Sequence, residues 1–238
     1  MFERRVTILA GHFGGGKTEI ALNGALELAA RGLGVSLVDL DIVKPYFRSR
    51  SARIFMAERG VDVIAPEGEN AYADLPIVLP QIRTLLQHSE GPVVLDVGGD
   101  PTGARVLGSL EDVIPHDETD HLLVLNFRRP FIQGVDDAVT MVREIEAAAR
   151  LPVTGIVSNT HLMDETTPDI VTDGFRRAER TATELRVPVV AVAVDEATAR
   201  MLDGRAFPCP VLTLMRLIRP PFQRKIAVRK SGPPFSLT

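Results

Sequence analysis

The sequence predicts an α/β fold, a doubly wound and mostly parallel sheet. Three observations carry this. Short apolar runs rich in β-formers alternate with helical patterns along most of the 238 residues, the order that generates parallel sheets. Several runs are apolar almost throughout: Val93-Val94-Leu95, Leu122-Leu123-Val124-Leu125 and Val189-Val190-Ala191-Val192-Ala193-Val194. Strands covered on both faces have this composition. A glycine-rich loop also joins the first strand to the first helix, as a phosphate-binding loop requires.

In chain order, the first strand is predicted at 5–10, Arg5-Val6-Thr7-Ile8-Leu9-Ala10. The helix after the loop is read at 17–31, where Leu22, Ala25, Leu26 and Ala29 recur at i, i+3, i+4 and i+7, the stripe of a buried face. Further strands are predicted at 34–39, 61–65, 92–96, 121–126, 153–158 and 188–194. Helices are predicted at 47–59, 76–87, 131–149, 171–186 and 195–204. The apolar run Val211–Ile218 reads as a final strand or a short packed helix, because Pro220-Pro221 stops it too early for an interfacial helix. This gives a nucleotide-binding domain over 1–219 and a basic, proline-containing tail over 220–238. That tail reads either as a poorly ordered terminus or as a docking arm for a partner or anionic surface.

Composition narrows the function. Apolar content of 45% supports a sizeable core, and a net charge of −4 gives no overall attraction to nucleic acid. The charge is uneven: no acid follows Asp203, so residues 204–238 carry +7 and the rest −11. Cys209 is the sole cysteine, which excludes an intrachain disulfide and suits a reducing cytoplasm. No signal peptide is read at the start, and no apolar run approaches the 18 residues of a membrane span.

The loop reads Gly11-His12-Phe13-Gly14-Gly15-Gly16-Lys17-Thr18, a match to G-x-x-x-x-G-K-[ST]. The glycines permit backbone conformations that a Cβ blocks, so successive N–H groups can turn inward around phosphate oxygens. The helix start adds unpaired N–H donors and its positive dipole end. Lys17 is the candidate for the β- and γ-phosphates and Thr18 for Mg²⁺. Gly11 through Thr18, with Glu19, are the candidate nucleotide-binding residues.

Two further strands end in acids. The second closes Leu37-Val38-Asp39-Leu40-Asp41. Carboxylates at the end of a buried strand call for a cation or donors. Asp41 is the candidate for orienting the attacking water and Asp39 for the outer shell of Mg²⁺, the plain alternative being caps for the next helix. The fourth reads Pro92-Val93-Val94-Leu95-Asp96-Val97-Gly98-Gly99. Asp96 has the Walker B position, which holds Mg²⁺ in P-loop proteins. Asp96 to Gly99 also forms D-x-x-G, whose glycine N–H can sense the γ-phosphate. Gly98, Gly99 and Gly103 with Asp100-Pro101 read as a mobile loop able to switch on hydrolysis.

Together, G-x-x-G-G-G-K-T, V-D-L-D-I-V-K-P after the second strand and V-V-L-D-V-G-G-D resemble the MinD/ParA/CobQ-type P-loop ATPases of the signal-recognition/MinD/BioD class. The resemblance covers about residues 5–200. It implies a parallel sheet of seven or eight strands, Mg-ATP binding and often an ATP-dependent homodimer. One departure stands out. The family's loop carries a lysine that reaches across the dimer, and here that position is His12, followed by Phe13 in place of glycine. Histidine is neutral much of the time near pH 7, so it substitutes only in part. Lys44, Arg48 or Arg50 could supply the charge, or could simply be a solvated helix start.

For the base, Asn159 closes the strand Val153–Asn159, and the resemblance implies that an Asn here contacts the base; a turn residue is the alternative. The N-K-x-D signature of GTPases fails, because Leu162 stands where Asp is required and Asp164 lies two residues beyond. ATP is therefore favoured. By resemblance alone, Val194-Asp195-Glu196 forms the other base-contacting loop. Asn126-Phe127-Arg128-Arg129-Pro130-Phe131 reads as an anion or partner site, or as a surface turn with Phe127 and Phe131 packed inward. His121 and His161 have no partner at metal spacing and read as ordinary polar histidines. The resulting function is a cytoplasmic ATPase acting slowly as a switch or assembly factor with an unknown protein partner. Rivals are an ATP-dependent kinase or ligase on a small anionic metabolite, a non-catalytic nucleotide-dependent docking module and, more distantly, a GTPase.

Overall fold

The computed structural model describes residues 1–41, 50–66, 71–99, 101–202 and 207–218, with the backbone alone at 50–52, 71–78 and 101–102. The strands are β1 (Val6–Ala10), β2 (Val35–Leu40), β3 (Val61–Ile64), β4 (Val93–Val97), β5 (Thr119–Leu125), β6 (Gly155–Ser158), β7 (Val189–Asp195) and β8 (Val211–Leu214). The helices are α1 (Lys17–Ala30), α2 (Arg50–Ala57), α3 (Ala71–His88), α4 (Pro101–Gly108), α5 (Val135–Ala149), α6 (Pro168–Leu185) and α7 (Glu196–Ala199). The strands form one sheet in the order β3-β2-β4-β1-β5-β6-β7-β8. Every pairing between them is parallel.

Alternation along each strand divides the core between two faces. Leu9, Leu37, Val94, Leu122, Val124 and Val157 pack with Ile20, Leu22, Ala25 and Leu28 of α1. Ile8, Val38, Leu40, Val93 and Leu95 point the other way, onto Ile82 and Leu86 of α3 and Leu107 of α4. Leu123, Leu125 and Ile156 meet α5 and α6 on that side of the sheet's other half. Both faces are thus dry, which explains why the central strands lack a polar alternation. β1 sits where the chain changes direction across the sheet, with β2, β3 and β4 to one side and β5 to β8 to the other. The carboxyl edge at such a switch point is where open α/β sheets bind ligands.

The seven predicted strands are all present, and the segment 211–218 resolves into β8 followed by an extended stretch. Helix starts differ for local reasons. α5 begins at Val135 rather than 131, because the Asp137 carboxylate accepts the N–H groups of Gln133 (3.0 Å) and Gly134 (3.1 Å) and fixes the entry there. α6 begins at Pro168, capped by Thr167 with proline in the first turn. α3 starts at Ala71 and passes through Pro76 and Pro80. The predicted mobile loop is corrected: Pro101–Gly108, Gly103 included, is helical. Gly99 is needed for close approach, since a Cβ there would lie 2.5 Å from the Phe13 nitrogen. Lys44, Arg48 and the 220–238 tail lie outside the described residues, as does the side chain of Arg50.

His121 shows the cost of the dry core. It lies within β5, fully buried, with Nδ1 on the Pro152 carbonyl at 3.2 Å and no partner for Nε2. Burial pushes its pKa down to about 4, against the raising effect of the Pro152 and Leu151 backbone. The unfolded chain binds this proton near pH 6.5, so the neutral ring's contribution to stability is present above that and is lost as pH falls towards 4. Between pH 7 and 4.5 the wild type is expected to lose about 2–3 kcal/mol more than His121→Asn. Urea melts at both pH values measure this; equal losses would exclude it.

Candidate nucleotide-binding site

The loop 11–16 leaves β1 and feeds α1. Gly16 caps that helix in the left-handed region at φ 93°. A Cβ on Gly16 would fall 2.2 Å from Nδ2 of Asn159, so both the backbone turn and the neighbouring side chain require glycine. The loop is closed by Gly15 N–H donating to His12 O at 3.1 Å. Lys17, only 7% exposed, arches back to the same carbonyl at 3.1 Å. Its ammonium is therefore already held over the loop that the motif assigns to phosphate.

The acids converge beneath it. Asp39 on β2 and Asp96 on β4 are register partners on adjacent parallel strands, and each is 1% exposed. Asp39 Oδ1 accepts the Asp41 N–H at 3.0 Å, fixing the strand end from which Asp41 reaches the cavity wall. Neither carboxylate oxygen of Asp96 accepts a hydrogen bond of good geometry, the Thr18 hydroxyl being the donor beside it. Burial pushes its pKa up to about 6. The Lys17 charge and the nearby Thr18 hydroxyl pull it down, and Asp41 adds to the rise. A buried carboxylate so weakly partnered is costly. The two acids, Lys17 and Thr18 form the cluster that their strand-end positions predict.

Above this cluster lies a cavity of about 390 Å³. Phe13, Gly14, Gly16, Lys17, Thr18 and Glu19 border it, as do Thr160, His161, Met163, Val194 and Ile218. The loop after β6 that lines this cavity is braced by the segment after β5. Asn126 Oδ1 accepts the His161 N–H (3.3 Å), and Thr160 Oγ1 accepts the Phe127 N–H (3.2 Å).

Several predicted residues take more specific places. Asn159 is buried and donates to Gly15 O at 2.8 Å, so its amide braces the phosphate loop. The Glu19 carboxylate accepts the backbone N–H of Leu217 and, at 3.1 Å, that of Ile218. Burial raises its pKa against the pull of those N–H groups and of Arg216. The His12 ring stacks on Phe131, centroids 4.6 Å apart and 18° from parallel. Phe127 is packed inward as one reading of that turn held, but Phe131 is 66% exposed.

Two cavity residues escaped the sequence. Arg216 follows β8 and pairs with Asp164 at 2.5 Å and Asp195 at 3.2 Å. Reading 211–218 as a strand rather than a helix would have put it on the ligand edge. His161 read as an ordinary polar histidine, yet its pKa is lowered to about 4, first by burial and then by the charges of Arg129 and Arg216. Asn23 completes a clasp on the segment after β8, bonding Met215 N (2.8 Å) and Met215 O (3.0 Å). This segment thereby becomes a wall of the cavity.

Among the described residues no cluster of three or more His, Cys, Asp or Glu side chains is gathered for a metal. No helix there is long and apolar enough to cross a membrane. By sequence, no protein-family model matches the chain, and no curated protein matches it. Solved structures do match. The cell division protein FtsY of Thermotoga maritima superposes with a TM-score of 0.57 at 21% identity, covering 85% of this chain and 66% of that one. Chloroplast FtsY of Physcomitrella patens gives 0.56 at 19%, covering 86% and 64%. The signal recognition particle receptor FtsY of Elizabethkingia anophelis, in complex with GDP, gives 0.52 at 19%, covering 82% and 58%. The chain thus spans less than two thirds of the length of each of these proteins, and at such identities the likeness is one of fold. With the loop, the strand-end acids and the sheet order already established, the chain has the P-loop NTPase fold.

Proposed function

We propose that this chain is a Mg²⁺-dependent, ATP-binding P-loop ATPase of the MinD/ParA type, hydrolysing slowly as a switch or assembly factor in the cytoplasm. The observation that carries this reading is the Asp96 carboxylate. It is buried, accepts no hydrogen bond of good geometry and lies in register with Asp39. Lys17 and Thr18 both act on its charge. Oxygen donors of this kind fit Mg²⁺, which is held by few protein ligands together with waters and phosphate oxygens. Thr18, Asp96 and, in the outer shell, Asp39 would hold the ion, which when bound neutralises charge on the phosphates.

The remaining roles follow from placement. The loop N–H groups from Gly11 to Thr18, with Lys17, bind the phosphate oxygens. Asp41 orients the attacking water from the end of β2. The base occupies the end of the cavity beside Thr160, His161 and Ile218. There Asp164, the nearest acid to the position a GTPase would use, is paired with Arg216, which supports ATP over GTP. Gly99 lies against the backbone of His12 and Phe13, a contact through which a change at the phosphates would reach α4. A homodimer and a protein partner belong to the same reading, as does a basic tail at 220–238.

Equilibrium titration of the full chain with ATP and GTP, with and without Mg²⁺, tests the reading, followed by phosphate release. ATP is expected to bind at least about tenfold more tightly than GTP, a difference near 1.4 kcal/mol, with Mg²⁺ strengthening it and phosphate released slowly. Tighter GTP binding would overturn the assignment to ATP. Binding of neither would overturn the whole reading.

A further inference from the structure

The phosphate loop has His where the resembling ATPases carry a lysine, and the His12 ring is engaged on Phe131. We infer that Arg129 supplies the second cation of the phosphate site from within the same chain, and so acts as a catalytic residue in hydrolysis. This rests on the nucleotide reading above and names the group that would stabilise its transition state.

The placement is specific. Arg129 Nε donates to Gly14 O, inside the phosphate loop, at 2.9 Å. Arg129 borders the same cavity as Lys17 and Thr18. The turn that carries it is closed twice, by Arg129 N–H to Asn126 O (3.3 Å) and by Ile132 N–H to Arg129 O (3.1 Å). Two residues on, Phe131 stacks on His12, so the turn and the loop are fastened together at a second point. An exposed Phe at that place is explained by this contact.

The neighbouring arginines are otherwise occupied. Arg128 pairs with Asp173 at 3.3 Å, and Arg216 with Asp164 and Asp195. Among the described residues no carboxylate forms an ion pair with Arg129. A cation held by a loop carbonyl instead of an acid keeps its full charge for an anionic ligand, and guanidinium suits phosphate through its fork of donors.

In the step concerned, the water oxygen bonds to the terminal phosphorus as the bond to the bridging oxygen breaks. The electron pair leaves with ADP, and the water's proton ends on the released phosphate or in solvent. Negative charge shifts onto the bridging and terminal oxygens. A fixed cation there lowers the barrier without first having to be organised. No partner subunit need supply it.

The test compares ATP hydrolysis and ATP affinity in the full-length wild type, R129Q and R129K. Glutamine can still donate to Gly14 O while lacking the charge. R129Q is expected to lose about 10²–10³-fold in kcat with ATP affinity changed only a few-fold. R129K is expected to recover part of that rate. Wild-type specific activity is expected to be independent of enzyme concentration. Mixing R129Q with Lys17→Ala protein is expected to restore nothing. R129Q hydrolysing within threefold of wild type would overturn the inference, as would full rescue on mixing, which would put the arginine in trans. Should R129Q not fold, R129M, which also lacks the charge, decides: a rate at least tenfold below wild type supports the inference and a smaller loss overturns it. A wild type that binds no nucleotide is a different failure, because it removes the underlying reading as well.

Discussion

Lys17→Ala is expected to weaken ATP binding by about ten- to a hundredfold and to abolish measurable hydrolysis. A hydrogen bond to a charged group contributes roughly 1.5–3 kcal/mol, and Lys17 is the cation that the loop motif assigns to the β- and γ-phosphates. The structure adds a second consequence. Lys17 is buried and its charge lowers the pKa of Asp96. Removing it leaves that carboxylate with less compensation, so the variant is expected to be less stable than wild type at pH 7. Combining it with Asp96→Asn should restore part of the loss, because neighbouring charges do not act additively. Isothermal titration with ATP and urea melts of the four proteins of this cycle provide the measurements. A Lys17→Ala protein that binds ATP as tightly as wild type would falsify the phosphate-site assignment.

Asp96→Asn is expected to change stability and function in opposite directions. Asp96 is a fully buried carboxylate that only Lys17 and Thr18 compensate. Its pKa in the folded chain is about 6 against 3.8 for the ordinary group. The folded state therefore binds the proton more tightly. The stability linked to that proton is present below about pH 4 and is lost as pH rises through 6. Above pH 6 the ionised group costs about 3 kcal/mol. Asparagine removes the charge at similar volume, so the variant is expected to be more stable than wild type by about 1–3 kcal/mol at pH 7, because burial outweighs the compensation that Lys17 and Thr18 give the carboxylate. This gain should vanish near pH 4. Its Mg²⁺-dependent strengthening of ATP binding is expected to disappear, and hydrolysis to fall by about a hundredfold, the scale of losing one positioned electrostatic group. Denaturation at pH 4 and pH 7, with nucleotide titrations at varied Mg²⁺, would show this. A variant less stable than wild type at pH 7 would mean that Asp96 is already compensated in the folded chain.

The two titrating groups pull in opposite senses. His121 makes the fold less stable as acid is added, and Asp96 makes it more stable. The net slope of wild-type stability between pH 4 and 7 sums these with the shifts of His161 and Glu19, which is why each has to be read from its own variant.

The sequence by itself determined the architecture and the gathering of the glycine loop and the strand-end acids at one edge of the sheet. Alternating runs with two apolar faces leave a parallel sheet as the only arrangement that buries them, and all seven predicted strands are present. A glycine loop between strand and helix and an acid closing an apolar strand are local signals, because the requirement that selects each residue is met within a few positions. The cavity wall built after β7 and β8 had no such signal. Asp164, Asp195 and Arg216 lie far apart in the chain, and only the placement of β8 beside β7 brings them together. Glu19 read as a nucleotide contact because of its place in the motif, but the backbone of Leu217 and Ile218 engages its carboxylate. The run Gly98 to Gly103 looked mobile because glycine usually marks freedom. Here Gly99 marks crowding, since the strand end must pass against the phosphate loop, and proximity across 86 residues has no signature in composition. Arg129 read either as part of an anion or partner site or as a surface turn residue, and only the fold lays that turn on Gly14.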